Sequence, residues 1–398
     1  MALLCRAEAV IISTNQELCM PQPPPARPGD PLSEVDTPAL IIDLDAFERN
    51  LRKMAGAAKA AGVSLRPHAK THKSPAIGLR QMALGAVGVC CQKVSEAEVM
   101  VEGGIPDVLV SNEVVGRRKL ERLAALAHQA RISVAVDNSQ AVEALGAAAS
   151  ASGAKIGVVI EIDVGGNRCG VEPGAPAVAL AQMASKTPGL SLQGIHAYNG
   201  RAQHMRVLEE RKAAIAAAVE MSRATRDAML KAGLCCDVVT GAGTGTYDIE
   251  AASGVYTELQ AGSYCFMDGD YARNKKADGK PYDDFEHALL VYATVMSTPQ
   301  PDKAILDAGL KSFAFDSGMP EVLGLAGAVY ERPSDEHGNL NVAACNVRPR
   351  LGDKLLLIPG HCDPTVNLHD WYVGVRGMGT EKARVECLWP VAARGAIF

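Results

Sequence analysis

The sequence predicts an α/β protein, a (β/α)8 TIM-type barrel followed by a mainly antiparallel β domain. Three observations point there. From residue 45 onward, short β-branched runs alternate with Ala/Leu-rich stretches of helical spacing, the pattern of parallel strands joined by helices. Eight such runs can be counted, the number that closes a barrel. Beyond about Asp284 the alternation stops, and Ala288–Val295, Lys303–Leu306, Lys354–Ile358 and Trp371–Val375 read as strands separated by Gly, Pro and Asp. Polar residues cluster after nearly every barrel strand. That favours a closed barrel, whose functional rim lies at the strand C-termini, over an open doubly wound sheet.

Within the barrel, Asp45 is the expected cap of the first helix and Gly62 its end. Strands are expected at Val63–Arg66, Val87–Cys91, Asp107–Ser111, Ile132–Val136, Ile156–Ile162, Leu192–His196, Asp237–Thr240 and Glu258–Gln260, with helices such as Ser74–Leu84 and Arg206–Lys231 between them. Their C-terminal ends give, in chain order, Lys70, Gln92, Asn112, Asp137, Arg168, Tyr198, the glycine loop 241–245 and Tyr264. A lysine, an arginine and a phosphate-type loop on one rim suggest an anionic cofactor.

The chain has 398 residues, 40 basic and 45 acidic, with a formal net charge of -5. Its length suits a barrel with a smaller partner: residues 1–44 as an extension and linker packing on the β domain, 45–284 as the barrel, 285–398 as the β domain. Mild acidity argues against nucleic acid as a partner. No apolar run approaches the ~20 residues that cross a bilayer. A cytoplasmic protein acting on a small molecule is expected. Met1–Ser13 is apolar but interrupted by Arg6 and Glu8, a poor secretory signal, and Glu8 and Glu17 fit an organelle transit peptide badly without closing that reading. Pro21–Pro31 reads as an extended linker. The eleven cysteines form no CxxC pair and are expected to be reduced and buried.

Five groups could carry chemistry. Arg66–Lys73 follows the first barrel strand, and a rim lysine there can form a Schiff base with pyridoxal phosphate; a basic solvated turn is the plainer reading. Thr240-Gly241-Ala242-Gly243-Thr244-Gly245 follows the seventh strand, where barrels often hold a phosphate. Arg168 could face the cofactor's pyridine nitrogen. His361 and Asp363, two residues apart on an expected strand, would share a face and grip one ion, zinc or manganese. His196, Tyr198, Gln203 and His204 surround the end of the sixth strand, with His204 a candidate base.

Together these motifs resemble the fold-type III pyridoxal phosphate enzymes, the alanine racemase-like group, and within it the D-threonine aldolase family with its 3-hydroxyaspartate aldolase and D-serine dehydratase relatives. The likeness rests on Asp36–Leu40, Arg66–Lys73, Cys91–Ala97, Ser111–Glu113, Asp163–Gly170, Thr240–Gly245, Ala251–Asp270 and His361–Asp370. The resemblance implies Lys70 as the Schiff-base lysine, with Lys73 the weaker candidate. It implies Arg168 near the pyridine nitrogen; the strand count places Gln92 and Tyr198 on the same rim, beside that cofactor. Thr240, Gly241, Gly243, Thr244 and Tyr264 would hold the phosphate, and His361 and Asp363 a divalent metal. Manganese leads among the metals, with zinc, cobalt or magnesium also admitted. A homodimer is implied as well. The dehydratases tend to carry Cys as the second metal ligand, so Asp363 favours an aldolase acting on D-β-hydroxy-α-amino acids, with D-serine dehydratase and D-3-hydroxyaspartate aldolase as the alternatives.

Overall fold

The computed structural model describes residues 22–398; Met1–Ser13 and the first residue of the proline-rich segment lie outside them. Strand β1 (Ala39–Asp43) comes first. Eight parallel strands follow: β2 (Ser64–Leu65), β3 (Val89–Cys91), β4 (Asp107–Glu113), β5 (Arg131–Val136), β6 (Ile156–Glu161), β7 (Leu190–Ala197), β8 (Val238–Gly241) and β9 (Glu258–Leu259). They pair in the order β2-β9-β8-β7-β6-β5-β4-β3, and a parallel bridge between His68 and Cys90 joins the two ends of the row. The expected barrel is therefore present. Helices α1 (Leu44–Ala61), α2 (Pro75–Ala83), α3 (Val94–Glu102), α4 (Arg117–Leu126), α5 (Ser139–Ser152), α6 (Ala175–Lys186), α7 (Leu208–Lys231) and α8 (Tyr247–Ala251) lie between or after these strands.

The first helix starts two residues before its expected cap. Asp43 Oδ1 accepts from the Asp45 and Ala46 N–H groups at 3.0 and 3.2 Å, while Asp45 instead accepts from Arg376 and the Gly377 N–H. Both acids stand before the same apolar run, and the true cap is the one that ends β1. Gly62 closes α1 as expected, at φ 69.

Strand periodicity sorts the barrel side chains. Val89, Cys91, Val108, Val110, Val134, Val136, Val158 and Ile160 join the larger core shared with the helices. Their neighbours Cys90, Leu109, Ala135 and Val159 form a small separate cluster. Two residues further along the strands from that inner set stand Gln92, Ser111 and Glu161, so the barrel interior turns polar toward its C-terminal rim.

The second sheet contains β1 with β10 (Leu289–Gln300), β11 (Lys303–Leu306), β12 (Glu321–Val322), β13 (Val329–Tyr330), β14 (Gly338–Asn341), β15 (Lys354–Ile358), β16 (Trp371–Arg376) and β17 (Arg384–Pro390). It is antiparallel except that β1 runs parallel to β16 while pairing antiparallel with β10. Residues before β1 also lie against this sheet: Trp371 donates to the Gln22 carbonyl at 3.0 Å, and Lys354 to that of Val35 at 2.6 Å. The nine cysteines of the described residues are free, but Cys235 is exposed, against the expectation of burial.

Candidate active site

A cavity of about 550 Å³ opens at the C-terminal rim of the barrel. Lys70, Gln92, Arg168, Tyr198, His204, Gly243 and Thr244 line it, together with His68, Thr71, Ser111, Glu161, His196, Arg201, Gln260, Ser263 and Tyr271. Lys70 stands in the loop after β2, and its Nζ forms an ion pair with Asp363 Oδ2 from the far end of the chain. Burial works against a charge on Lys70, but the Asp363 carboxylate overcomes it and holds the amine above its ordinary value. The converse holds Asp363 at about 2 although burial would raise it. Lys73 has a different setting. Its Nζ lies 2.6 Å from Glu96 Oε1 in a buried pair and reaches the Ala393 carbonyl at 3.3 Å, so it is occupied away from the cavity.

The expected strand under His361 and Asp363 is absent. β15 ends at Ile358; His361 caps the short helix α9 (Cys362–Val366), and Asp363 stands in its first turn. The two side chains still face one another closely enough that Asp363 raises the His361 pKa against burial. His361 Nδ1 lies 2.6 Å from Asp316 Oδ2, which orients the ring and leaves Nε2 available. Asp363 Oδ1 is buried without a hydrogen-bond partner. A free imidazole nitrogen held by a carboxylate behind it, beside an orphaned carboxylate oxygen, fits a divalent metal.

The glycine loop reaches the cavity through Ala242, Gly243 and Thr244. Thr244 Oγ1 is buried without a partner, an orphaned donor suited to a phosphate oxygen. Gln203 braces the loop: its Oε1 accepts from the Gly245 N–H at 3.0 Å, and its Nε2 donates to Thr246 Oγ1 at 2.8 Å. A Cβ on Gly243 would come 2.4 Å from Gln203 Oε1. Thr240 and Gly241 are not in the cavity wall. Thr240 Oγ1 instead donates to Glu258 and accepts from Gln260, both at 2.8 Å, inside the barrel. Tyr264 is also outside the wall, 1 % exposed, with its hydroxyl receiving Gln81 Nε2 at 3.2 Å and its ring on Phe285.

Arg168 lies over the Tyr198 ring at 5.6 Å, with Glu161 3.8 Å behind it. Glu161 Oε2 is 3.2 Å from His196 Nδ1, and His196 Nε2 is 3.1 Å from Gln260 Oε1. Burial would keep His196 neutral, yet Glu161 raises its pKa. His68 is the opposite case. Burial drives it well below its ordinary value, so it is a neutral imidazole, with Gln92 Nε2 at 2.8 Å and Ser111 Oγ at 3.3 Å from its Nε2. His204 Nδ1 lies 2.6 Å from Asp270 Oδ2, and Asp270 also takes Arg206 at 2.5 Å and Arg273 at 2.7 Å. Burial would raise Asp270, but His204 and Arg206 keep it well below the usual carboxylate range.

The rim reading from sequence was one residue out in places. Asn112 points back to the Gln92 carbonyl at 3.0 Å while Ser111 lines the cavity, and Asp137 is not in its wall. Ser111, Glu161 and Gln260 were missed as site residues. The period of two running up from Leu109 and Val159 would have found the first two. Asp137, Glu113 and Cys169 instead bring three ligand-type atoms within 4.8 Å of one another behind the Arg168 loop.

Comparison with known proteins gives the family. A family model of the alanine racemase N-terminal domain matches residues 42–270, and one of a putative serine dehydratase domain matches 288–375. The chain is 50% identical over 373 residues to a D-threonine aldolase of Arthrobacter sp, covering 94% of this chain and 96% of that one. It is 48% identical to a 3-hydroxy-D-aspartate aldolase of Paracoccus denitrificans, covering 93% and 95%. The crystal structure of D-threonine aldolase from Filomicrobium marinum superposes with a TM-score of 0.91 at 55% identity, covering 94% of this chain and all of that one. Matched over more than half its length by that family model and half identical to these relatives, the chain belongs to the alanine racemase-like family, in the branch that holds these D-amino-acid aldolases.

Proposed function

We propose that this protein cleaves D-β-hydroxy-α-amino acids by a retro-aldol reaction, D-threonine giving glycine and acetaldehyde, with pyridoxal phosphate and a divalent metal, manganese first. The observation that carries the reading is the meeting of Lys70 with Asp363, residues 293 apart in the chain, beside the glycine loop. When bound, pyridoxal phosphate supplies an electron sink and the metal ion lowers the pKa of a hydroxyl group.

The protein's own groups divide the work. Lys70 anchors the cofactor through Nζ. Gly243, Thr244 and Ser263 hold the phosphate, with Thr240 and Gly241 shaping the loop from within the barrel. Arg168, backed by Glu161, would hold the cofactor at its pyridine nitrogen. Tyr198 flanks Lys70, and Gln92 fixes the neutral His68 beneath. His361 and Asp363 hold the metal. His204, with Nδ1 tied to Asp270, takes the β-hydroxyl proton on Nε2 as the Cβ–O bond becomes a carbonyl and the Cα–Cβ bond breaks. Tyr264 is left out of this scheme, because it is buried outside the cavity wall. The homodimer belongs to the same proposal, with sedimentation velocity as its check.

The test is aldehyde release from D- and L-threonine by purified protein, with manganese and after chelation, alongside the visible absorbance of the cofactor. Metal-dependent acetaldehyde from the D-isomer alone supports the whole reading. Bound cofactor with pyruvate from D-serine and no aldehyde would replace it with a dehydratase. No bound cofactor, with Lys70→Ala changing nothing, would remove the cofactor assignment itself.

A further inference from the structure

The cavity wall carries three lysine or arginine side chains: Lys70, Arg168 and Arg201. Lys70 is paired with Asp363, and Arg168 has Glu161 behind it and Tyr198 under it. Arg206 and Arg273, nearby, are both spent on Asp270. Arg201 alone of the wall cations has no carboxylate within 4.0 Å and no side-chain hydrogen bond among the described residues. An unpaired guanidinium facing a ligand cavity is a carboxylate receptor, since its planar fork matches the two oxygens.

Its position says which carboxylate. Arg201–His204 is a single turn of 3-10 helix, in which residues three apart lie over one another. Arg201 therefore shares a face with His204, and both reach the cavity. On the proposed reaction His204 meets the β-hydroxyl, so the next group along the same helical face is the other substituent of the β-carbon. We infer that Arg201 binds a carboxylate carried on that substituent. The substrates this site favours are then β-hydroxy-α-amino dicarboxylic acids, 3-hydroxy-D-aspartate before D-threonine. The inference rests on the retro-aldol reading, and it adds the residue that sets the side-chain preference.

The experiment measures kcat/KM of the cofactor- and manganese-loaded protein for 3-hydroxy-D-aspartate and for D-threonine, in the wild type, Arg201→Met and Arg201→Lys. In parallel, calorimetry measures binding of malate, a dicarboxylate with no amine to react. The wild type is expected to prefer the dicarboxylate. Arg201→Met should lower the ratio of the two kcat/KM values about ten- to a hundredfold, the worth of one charge-assisted hydrogen-bonded pair. Arg201→Lys should restore part of the ratio, and malate binding should weaken in step. An equal fall for both substrates would overturn the inference by assigning Arg201 to the α-carboxylate they share, and an unchanged ratio would overturn it outright; either leaves the reaction standing. If the wild type cleaves neither substrate, the reaction fails by itself, and the malate titrations still decide the carboxylate site.

Discussion

At the scale of single residues, the two lysines of the 66–73 segment show how far a motif can be read. Sequence brought Lys70 and Lys73 to the same loop and ranked them by resemblance; the structure separates them by their partners, Asp363 for one and buried Glu96 for the other. Lys73→Met would leave the Glu96 charge buried without its cation, and a loss of about 3–5 kcal/mol in denaturant unfolding is the expected result. Asp316 is the residue no motif announced. It stands 45 positions before His361 and orients it from a loop whose sequence has no periodicity. Asp316→Ala should weaken manganese binding about 10- to 100-fold in a metal titration, the usual effect of removing the group behind a metal-bound histidine. The His361 and Asp363 pairing was legible as i and i+2, though on the wrong element: both are set by the start of a helix. Tyr264 follows a strand and matches the family's pattern, and only its packing on Phe285 shows that it is buried outside the cavity wall.

Elements place the site by fixing the loops between them. The lysine loop is held on two sides, since Tyr372 in β16 donates to the His72 carbonyl at 2.7 Å and the Ala393 N–H donates to that of Lys73 at 2.9 Å. Tyr372→Phe leaves that carbonyl without its donor. The expected cost is about 1–3 kcal/mol, together with weaker retention of the cofactor on dialysis. Behind the glycine loop, α8 buries Glu250, whose carboxyl accepts from Thr246 at 2.9 Å and is pushed by burial up to about 8. A folded-state pKa above the unfolded one means that the stabilising, protonated form is fully present below about pH 4.5 and is lost as pH rises through about 8. Thermal melts should therefore show the wild type losing stability between pH 5 and 9 and Glu250→Gln losing less. Barrel strands and their order were legible because a period of two and a regular alternation of strand and helix survive in one sequence. The short loops that carry chemistry have no period, so their side chains were placed only to within a residue.

For the whole molecule, the barrel and the second sheet are bound together by β1, which enters the second sheet between β10 and β16 and then runs straight into α1. A single cooperative transition in calorimetry is expected, and residues 44–284 expressed alone should not give a soluble barrel, because α1, α2 and the lysine loop would lose their cover. The sequence places residues before 45 against the β domain as an extension and linker; what it does not show is that Ala39–Asp43 enters that sheet as an interior strand. The apolar run of β1 cannot say which partners it will find. Its placement bears also on how the molecule is made. Register puts Asp43 beside Val375, so β1 is made long before the strand that covers its parallel edge. Until β10 is made both edges of that apolar strand are open, and until β16 is made one of them still is, an edge that other chains can pair with. An interval therefore separates the synthesis of β1 from that of β16, during which its second edge needs a cover that the finished sheet later supplies.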